Sequence, residues 1–292
     1  MGIAKSAAHL LFDMGRKDPL NGRVLQLGRQ SVLITEKHVS EIIDRYQPAP
    51  APDRSGPIDD QFLFKLAGFE RVESLDVNDF EGADFVFDLN VPIPEHMHGL
   101  FDMIYDGGTL EHVFNFPQAL KNIHDMLKVG GVVAHALPTS NHVDHGFYMF
   151  SPTVFWDYYT ANAYEIVDCL LFEYAPKPNV DWVFYRYSPG AIDHKSYGGW
   201  GRAMLGTWCV ARKGHASTAG VIPQQNLYVR AGWNPTAPPK RAPPWGLDWL
   251  IKRIFGRYPE PYATLREPYF FIRRQIIRAT KPRPKLERVH IH

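Results

Sequence analysis

Hydrophobic and polar positions along the chain follow two spacings, one typical of strands and one typical of helices. An apolar run at 101–105 ends in a Gly-rich turn at 106–108, and helical spacing of apolar residues then continues through Met126 and Leu127. Glycines at 130–131 predict the end of this helix, and a second apolar run follows at 132–137. A helix between two such strands is typical of a crossover connection in a parallel sheet.

The same spacings predict further elements on both sides of this unit. Helices are predicted at 3–14, 39–46, 62–66 and 152–159, and strands at 23–27, 71–76, 83–90, 164–172, 183–187 and 205–211. The strands at 71–76 and 83–90 are too close in sequence for a long helix between them. The chain departs there from a regular doubly wound sheet.

Length and charge divide the chain into parts. With 292 residues, of which 45% are hydrophobic and 22% charged, it can form one α/β core and an appendage. We predict an N-terminal helix in 1–22, an α/β domain in 23–213 with an irregular Pro-rich insertion at 47–61, and an extension in 214–292. From Lys240 onward thirteen Lys and Arg stand against four acidic residues, a net of +9, so the rest carries −8 of the total of +1.

The basic extension contains a Pro-rich stretch at 235–244 and amphipathic helical spacing at 247–258 and 268–278. Its charge fits the acidic remainder of the chain, a second copy in a homo-oligomer, or an anionic membrane surface. Nucleic acid is the least favoured partner, because no recognised nucleic-acid motif is present. Since apolar runs are too short to span a membrane and the N-terminus lacks a signal-peptide pattern, we expect a cytoplasmic protein, with peripheral membrane contact as an alternative.

Cysteine and histidine usage gives no metal site at this stage. The two cysteines, Cys169 and Cys209, lie in predicted strands, so buried thiols are expected rather than a disulfide framework or a thiolate metal site. His142 and His145 are three residues apart, but no HExxH motif or other paired ligand spacing occurs. We therefore predict no metal ligands.

The identities of the residues in the central segment indicate a protein family more specifically than the spacing of its apolar residues does. FDMIYDGGTLEHV at 101–113, followed by ALKNIHDMLKVGGVV at 119–133, resembles the fourth strand, helix and fifth strand of class I S-adenosylmethionine-dependent methyltransferases. The resemblance covers about residues 23–213. It implies a Rossmann-like, mostly parallel sheet with an antiparallel closing strand at 205–211. With LGRQ, EGADFVFDLN and HGFYMFSP it looks like a bacterial subgroup linked to glycan or specialised-metabolite pathways.

The resemblance also implies a cofactor, S-adenosylmethionine, with S-adenosylhomocysteine as its product. The implied cofactor-binding residues are Leu27, Gly28, Arg29, Gln30, Asp76, Val77, Asp88, Leu89, Asp106 and Gly107. Asp76 would hold the ribose hydroxyls, or alternatively form a turn, and Asp88 the adenine amine, or alternatively cap a loop. Arg29 could reach the cofactor carboxylate. The first bend departs from the family's acid-x-Gly-x-Gly pattern, because Gln26 and Gln30 replace the acid and the second glycine.

Candidate catalytic residues follow the two central strands. The segment 138–152 combines titratable and aromatic side chains where the resemblance places the methyl group. Methyl transfer needs alignment of the acceptor, and a hydroxyl acceptor must also lose a proton. Because the pKa of an unperturbed histidine is about 6.5, His145 is the first candidate base and His142 the second, each with hydrogen bonding to loop backbone as the alternative. The resemblance adds Asp106 beside the reacting carbon, whereas Glu111 is interpreted as a helix-start acid.

These features favour metal-free O-methylation of a small-molecule or glycan-type acceptor. An Asn/Asp-Pro-Pro-Tyr/Phe signature of amine methylation and an Asp-Asp-Asn metal triad are both absent from the sequence. Carbon and nitrogen acceptors stay open. The alternative is a non-catalytic methyltransferase-like scaffold or interaction protein, which keeps the sheet and has lost cofactor binding through Gln26 and Gln30.

Overall fold

A computed structural model describes residues 2–48, 56–175, 177, 180–195, 199–230, 253, 268, 271 and 287–289. The chain divides into two compact units. The first comprises Met1–Pro189, Trp200–Asn226 and Leu286–His292, and the second Gly190–Gly199 and Leu227–Lys285. The centre of the predicted insertion and nearly all of the basic segments predicted at 235–244, 247–258 and 268–278 lie outside the described residues.

The described residues form strands and helices in alternation. The strands are β1 (Ile3–Ala4), β2 (Arg23–Leu27), β3 (Val32–Leu33), β4 (Arg71–Asp76), β5 (Phe85–Val86), β6 (Phe101–Asp106), β7 (Leu127–Ser140), β8 (Glu165–Tyr174), β9 (Val183–Arg186), β10 (Met204–Arg212) and β11 (Arg288–Val289). The helices are α1 (Lys5–Lys17), α2 (Glu36–Tyr46), α3 (Asp60–Leu66), α4 (Phe116–Met126), α5 (Pro152–Ala161) and α6 (Asn226–Arg230).

Within the described residues, nine strands form one sheet in the order β11-β9-β8-β10-β7-β6-β2-β4-β5. Pairing is parallel from β5 through β4, β2 and β6 to β7, and antiparallel from β7 through β10, β8 and β9 to β11. The chain runs outward from β2 to β5 and then returns to β6 on the other side of β2. Ligands of such sheets bind at this reversal, outside the carboxyl ends of the strands.

The predicted α/β fold is confirmed by this strand order. The antiparallel strand predicted at 205–211 is β10, and it lies between β7 and β8. The antiparallel part is larger than predicted, because β9 and β11 extend the sheet beyond β8.

The predicted apolar face of the N-terminal helix is buried. Ala7, Leu10, Leu11 and Met14 on α1 are each at most 8% exposed and belong to the same hydrophobic cluster as Trp208 on β10. Fully burying a large apolar side chain contributes about 1.5–3 kcal/mol, so this face is sufficient to hold a short helix against the sheet.

Three boundaries differ from the predictions. The glycines at 130–131 do not end a helix: β7 already begins at Leu127, because the backbone of Gly130 and Gly131 pairs with Lys213. The predicted strand at 83–90 is reduced to β5, since the chain turns at Asp88. The residues after the Gly-rich turn form a short 3₁₀ helix, Leu110–His112, before α4 begins.

The two cysteines are buried free thiols, as predicted. Cys169 on β8 lies opposite Cys209 on β10 in the antiparallel ladder. A hydrogen bond with Cys209 and burial raise the pKa of the Cys169 thiol. Among the described residues, none of the helices has the length and apolar character needed to cross a membrane.

Candidate active site

A cleft of about 470 Å³ opens at the carboxyl ends of β2, β4 and β5 and beside the turn that follows β6. Seven of the ten predicted cofactor-binding residues line it, namely Gly28, Arg29, Gln30, Asp76, Val77, Asp88 and Leu89. Its volume lies in the range of pockets that enclose a small organic ligand. The sequence prediction therefore brings most of its residues to one place in the structure.

The bend after β2 requires glycine. Gly28 has a φ of +66°, and a Cβ there would approach Thr109 Oγ1 at 2.8 Å and Asp76 Oδ2 at 3.8 Å. The Gly28 amide donates to the Leu75 carbonyl at 2.8 Å, and Thr109 Oγ1 donates to the Leu27 carbonyl at 2.5 Å. The backbone of the bend is thus fixed between β4 and the turn after β6, and the absence of a Cβ leaves room for the Thr109 side chain.

The two glutamines that depart from the family pattern support this bend from within. Gln26 donates to the Asp60 carboxylate at 2.8 Å and accepts a hydrogen bond from the Gln30 amide at 3.2 Å. The Gln30 side chain is 6% exposed, and its Nε2 donates to the carbonyls of Leu27 and Gly28. Gln26 stands on β2 where the family pattern has an acidic residue, and the carboxylate of Asp60 on α3 lies next to it. Asp60 is not among the residues predicted from the sequence.

Arg29 connects the bend to the loop after β4. Its Nη1 donates to the Glu81 carbonyl at 3.0 Å, and its Nε lies 3.5 Å from Asp60 Oδ2. The guanidinium is consequently held by backbone and by a buried carboxylate in the structure. The expected contact with a cofactor carboxylate would require these bonds to be exchanged.

The two carboxylates expected to contact the cofactor each keep one oxygen without a hydrogen bond from the described residues. Asp76 Oδ1 accepts from the Val77 amide at 2.6 Å, and its Oδ2 is directed toward Gly28. Asp88 Oδ1 accepts from the amide and the side chain of Asn90, which makes a turn. The loop-forming alternative for Asp88 is thus present, and Oδ2 is left for a ligand.

Asp106 does not line the cleft. It is fully buried, its Oδ1 accepts from the amides of Thr109 and Leu110, and its Oδ2 lies 2.7 Å from His135 Nδ1. His135 Nε2 in turn lies 2.7 Å from the Tyr159 hydroxyl. Asp106 therefore fixes the Gly-rich turn from the interior instead of facing a ligand.

The other two predicted cofactor residues outside the cleft lining are also enclosed. Leu27 is fully buried in the sheet, and a Cβ on Gly107 would collide with the Gln30 side chain. Neither side chain reaches the cleft. Both residues pack closely and hold the backbone that borders it.

Glu111, His112 and His145 form a compact group that we call the Glu–His cluster. Glu111 Oε1 lies 3.8 Å from His112 Nε2 and 3.6 Å from His145 Nε2, and the two imidazole rings are 5.1 Å apart. Burial, and then the charge of Asp106, raise the pKa of Glu111 to about 7. Burial, and then His145, lower the pKa of His112, which also lines the cleft.

The sequence analysis selected only one member of this cluster, His145. The signal for the other two was present, because Glu111 and His112 follow β6 while His145 follows β7, and these strands are parallel neighbours. The second candidate base, His142, is hydrogen-bonded through Nε2 to the Tyr174 hydroxyl at the end of β8. Burial lowers the pKa of His142 as well.

Exposed aromatic side chains lie next to the cluster. Phe114 and Phe147 are 68% and 65% exposed and contact each other edge to face, with ring centroids 5.5 Å apart. The Tyr148 hydroxyl donates to the Phe114 carbonyl at 2.8 Å, which ties the loop after β7 to the segment after β6. Such rings provide apolar faces for a flat or carbohydrate ligand.

Comparison with known proteins gives structural likenesses alone. No protein-family model and no curated protein sequence matches the chain. Similar solved structures include 1,6-didemethyltoxoflavin-N1-methyltransferase of Burkholderia thailandensis with bound 1,6-didemethyltoxoflavin and S-adenosylhomocysteine (14% identity, 72% of this chain and 79% of that chain, TM-score 0.41). Others are the YcgJ protein of Bacillus subtilis (12%, 71% and 99%, 0.39) and an S-adenosylmethionine-dependent methyltransferase of Mesorhizobium loti (12%, 65% and 90%, 0.36).

At these TM-scores the fold assignment depends on the chain's own strand order. That order has its reversal between β2 and β6 and an antiparallel β10 between β7 and β8, as the sequence resemblance requires. Several of these neighbours are S-adenosylmethionine-dependent methyltransferases, and the chain's own strand order is that of a Rossmann-like α/β sheet with antiparallel strands at one end.

Proposed function

We propose that the chain is an S-adenosylmethionine-dependent methyltransferase that binds its cofactor in the cleft at the carboxyl edge of the sheet. One observation carries the proposal: the Asp76 carboxylate, whose Oδ2 accepts no hydrogen bond from the described residues, lines the cleft beside the left-handed bend of Gly28. A carboxylate that can accept two hydroxyl groups and a backbone free of a Cβ are what a nucleoside with an amino-acid tail requires.

The remaining cleft residues have complementary roles in this proposal. Asp88 Oδ2 accepts from the exocyclic amine of the adenine, and the exposed Val77 side chain packs against the ring. Leu89, which is buried, supports that wall from behind. When bound, the cofactor supplies an electrophilic methyl group on a positively charged sulfur.

The acceptor in this proposal is an oxygen of a small-molecule or glycan-type compound. Phe114 and Phe147 provide its apolar platform, and the Glu–His cluster beside them accepts the proton that a hydroxyl loses on methylation. Within the cluster the two histidines can meet the acceptor, because the side chains of His145 and His112 are 39% and 48% exposed whereas Glu111 is fully buried, and His145 is the base that we propose. His142 orients the loop through Tyr174 instead.

The scaffold alternative depends on the altered bend. Gln30 Oε1 is buried without a hydrogen-bond partner among the described residues, so the bend is less completely satisfied than a glycine pattern would be. Under this alternative the cleft would bind no nucleoside.

Calorimetric titration of the full chain with S-adenosylhomocysteine tests the proposal. We expect micromolar binding that Asp76→Ala weakens by at least about 10-fold, since a hydrogen bond to a charged group contributes about 1.5–3 kcal/mol. Asp79→Ala is the matched control: the residue is an exposed acid three positions further on, and its replacement leaves the affinity unchanged. Absence of heat at millimolar ligand with a folded chain would favour the scaffold.

A further inference from the structure

One buried carboxylate beside the cleft, that of Glu111, has no hydrogen-bond donor in the described part of the chain. Glu111 is fully buried, and neither Oε1 nor Oε2 has a hydrogen-bond partner among the described residues. A buried carboxylate without a donor or an opposite charge is costly. Such an orphaned group indicates a proton, a water molecule or an ion at that position.

Of a proton, a water molecule and an ion, the two imidazoles next to Glu111 favour an ion. His112 Nε2 and His145 Nε2 lie 3.8 and 3.6 Å from Glu111 Oε1, and one ligand atom from each of the three residues can be chosen so that all lie within 4.8 Å of one another. Ligands about 2.1 Å from a tetrahedral zinc ion are separated by about 3.4 Å. The two spacings to Glu111 exceed this by a few tenths of an ångström, and the two imidazole nitrogens lie within 4.8 Å of each other, so side-chain rotation has to bring the three ligand atoms closer together.

The backbone of the loop after β7 holds this arrangement in place. Asn141 and Asp144 have positive φ values of 63° and 69°, and a Cβ on Gly146 would lie 2.8 Å from the Glu111 carbonyl. The Tyr148 amide donates to the same carbonyl at 3.2 Å. Strained positions and a required glycine bring His145 against Glu111, so the three side chains are assembled by the fold.

We propose that the Glu–His cluster is a binding site for one divalent transition-metal cation, with Glu111, His112 and His145 as ligands. One carboxylate and two neutral imidazoles suit Mn²⁺, Fe²⁺, Co²⁺ or Zn²⁺ better than Ca²⁺ or Mg²⁺, which prefer oxygen ligands. Three protein ligands leave coordination positions open, as in catalytic rather than structural zinc sites. This replaces the sequence expectation of a site without metal.

The site stands whether or not the cleft binds a cofactor. Its link to acceptor chemistry rests on the proposed function: His112 lines the cleft, so an open coordination position there can take an acceptor oxygen. With the cation bound, His145 would be a ligand in place of its role as base, the cation would lower the pKa of the bound hydroxyl, and the released proton would pass to solvent water.

Titration of the EDTA-treated full chain with CoCl₂, in the absence of S-adenosylhomocysteine, tests the proposal. We expect visible d–d absorption that saturates at one equivalent and is displaced by ZnCl₂. Glu111→Gln and the double variant His112→Ala/His145→Ala each reduce the affinity at least about 100-fold. His98→Ala, an exposed histidine outside the cluster, is the matched control and binds like the parent chain.

Circular dichroism first establishes that each variant is folded. Because the His145 side chain is 39% exposed, His145→Ala provides the test if Glu111→Gln does not fold. No saturable binding, or equal binding in all cluster variants, overturns the proposal. Since the nucleoside is absent from the titration, failure of the metal site and failure of cofactor binding are scored separately.

Discussion

The buried chain Asp106–His135–Tyr159 offers a sharp test of how the Gly-rich turn is held. All three side chains are at most 1% exposed, and both ring nitrogens of His135 lie 2.7 Å from an oxygen partner. Replacing His135 by alanine leaves the Asp106 carboxylate and the Tyr159 hydroxyl facing a void. It also removes the stacking of His135 on Phe155, whose ring centroid is 4.3 Å away.

The magnitude follows from this burial. Removing His135 leaves a buried carboxylate and a buried hydroxyl without this partner, at about 1–3 kcal/mol for each group, so the loss is a large fraction of the roughly 5–15 kcal/mol that stabilises a typical fold. Tyr159→Phe leaves one ring nitrogen of His135 without a partner and costs about 1–3 kcal/mol. Asp106→Asn keeps an oxygen for the amides of Thr109 and Leu110 and an amide toward His135, so we expect a loss near 1 kcal/mol.

Urea unfolding followed by tryptophan fluorescence and far-UV circular dichroism measures these losses, with the midpoint shifted and the slope unchanged. Affinity for S-adenosylhomocysteine is the second readout, because Asp106 positions the turn beside the cleft. A loss below about 1 kcal/mol in His135→Ala, or a larger loss in Asp106→Asn than in His135→Ala, would refute the reasoning that this pair is fully desolvated.

Three further predictions use other parts of the structure. Gly28→Ala forces a left-handed alanine against Thr109 and is expected to cost at least about 1–2 kcal/mol in urea unfolding and to weaken nucleoside binding in calorimetry. Cys169 and Cys209 are expected to resist a thiol-specific reagent at pH 8 in the native chain and to react fully in urea, because both are buried and the pKa of Cys169 is raised. Burial raises the pKa of Asp168 in the folded chain, so at pH 7 ionised Asp168 destabilises the folded chain relative to the unfolded chain. Asp168→Asn should therefore stabilise the fold at pH 7, by an amount that shrinks in urea unfolding as the pH falls toward 4.

Each of these has a control or a contrary outcome. Gly220→Ala places a Cβ where no atom lies within 4 Å and should change neither stability nor binding. Native thiols that react as fast as the denatured ones would contradict the burial argument. A stabilisation by Asp168→Asn that grows toward pH 4 would have the wrong sign, because below the ordinary carboxyl pKa the group is protonated in both the folded and the unfolded chain.

The sequence predicts the strands of the sheet centre well because they are buried on both faces. β2 and β6 consist mainly of apolar residues, β4 contributes Val72 and Leu75, and turn residues follow all three strands, so local pattern is enough to find them. The sequence predicts a start of β7 later than the observed Leu127, because the first residues of the strand include two glycines. Their strand conformation depends on pairing with Lys213, which is more than eighty residues away in sequence.

In the candidate site, too, the sequence predicts residues that depend on local pattern and misses contacts between segments that are distant in sequence. Gly28 and Asp76 can be selected from the sequence, since each directly follows or ends a predicted strand. The support of Gln26 by Asp60 and the approach of Glu111 to His145 arise from contacts between segments 34 residues apart in both cases. No local pattern encodes such contacts, so Glu111 was interpreted as a helix-start acid.

β10 lies between β7 and β8 in the sheet but follows both in sequence, so the sheet can be completed only late in synthesis. Every cleft residue lies before position 114, whereas the strand that joins β7 to β8 is made only at Met204–Arg212. A nascent chain that has reached residue 200 therefore holds all of its ligand-binding positions while β7 and β8 still lack the strand between them. Strand edges left open in this way invite pairing with other chains, so the growing polypeptide passes through an aggregation-sensitive stage that ends with one late strand.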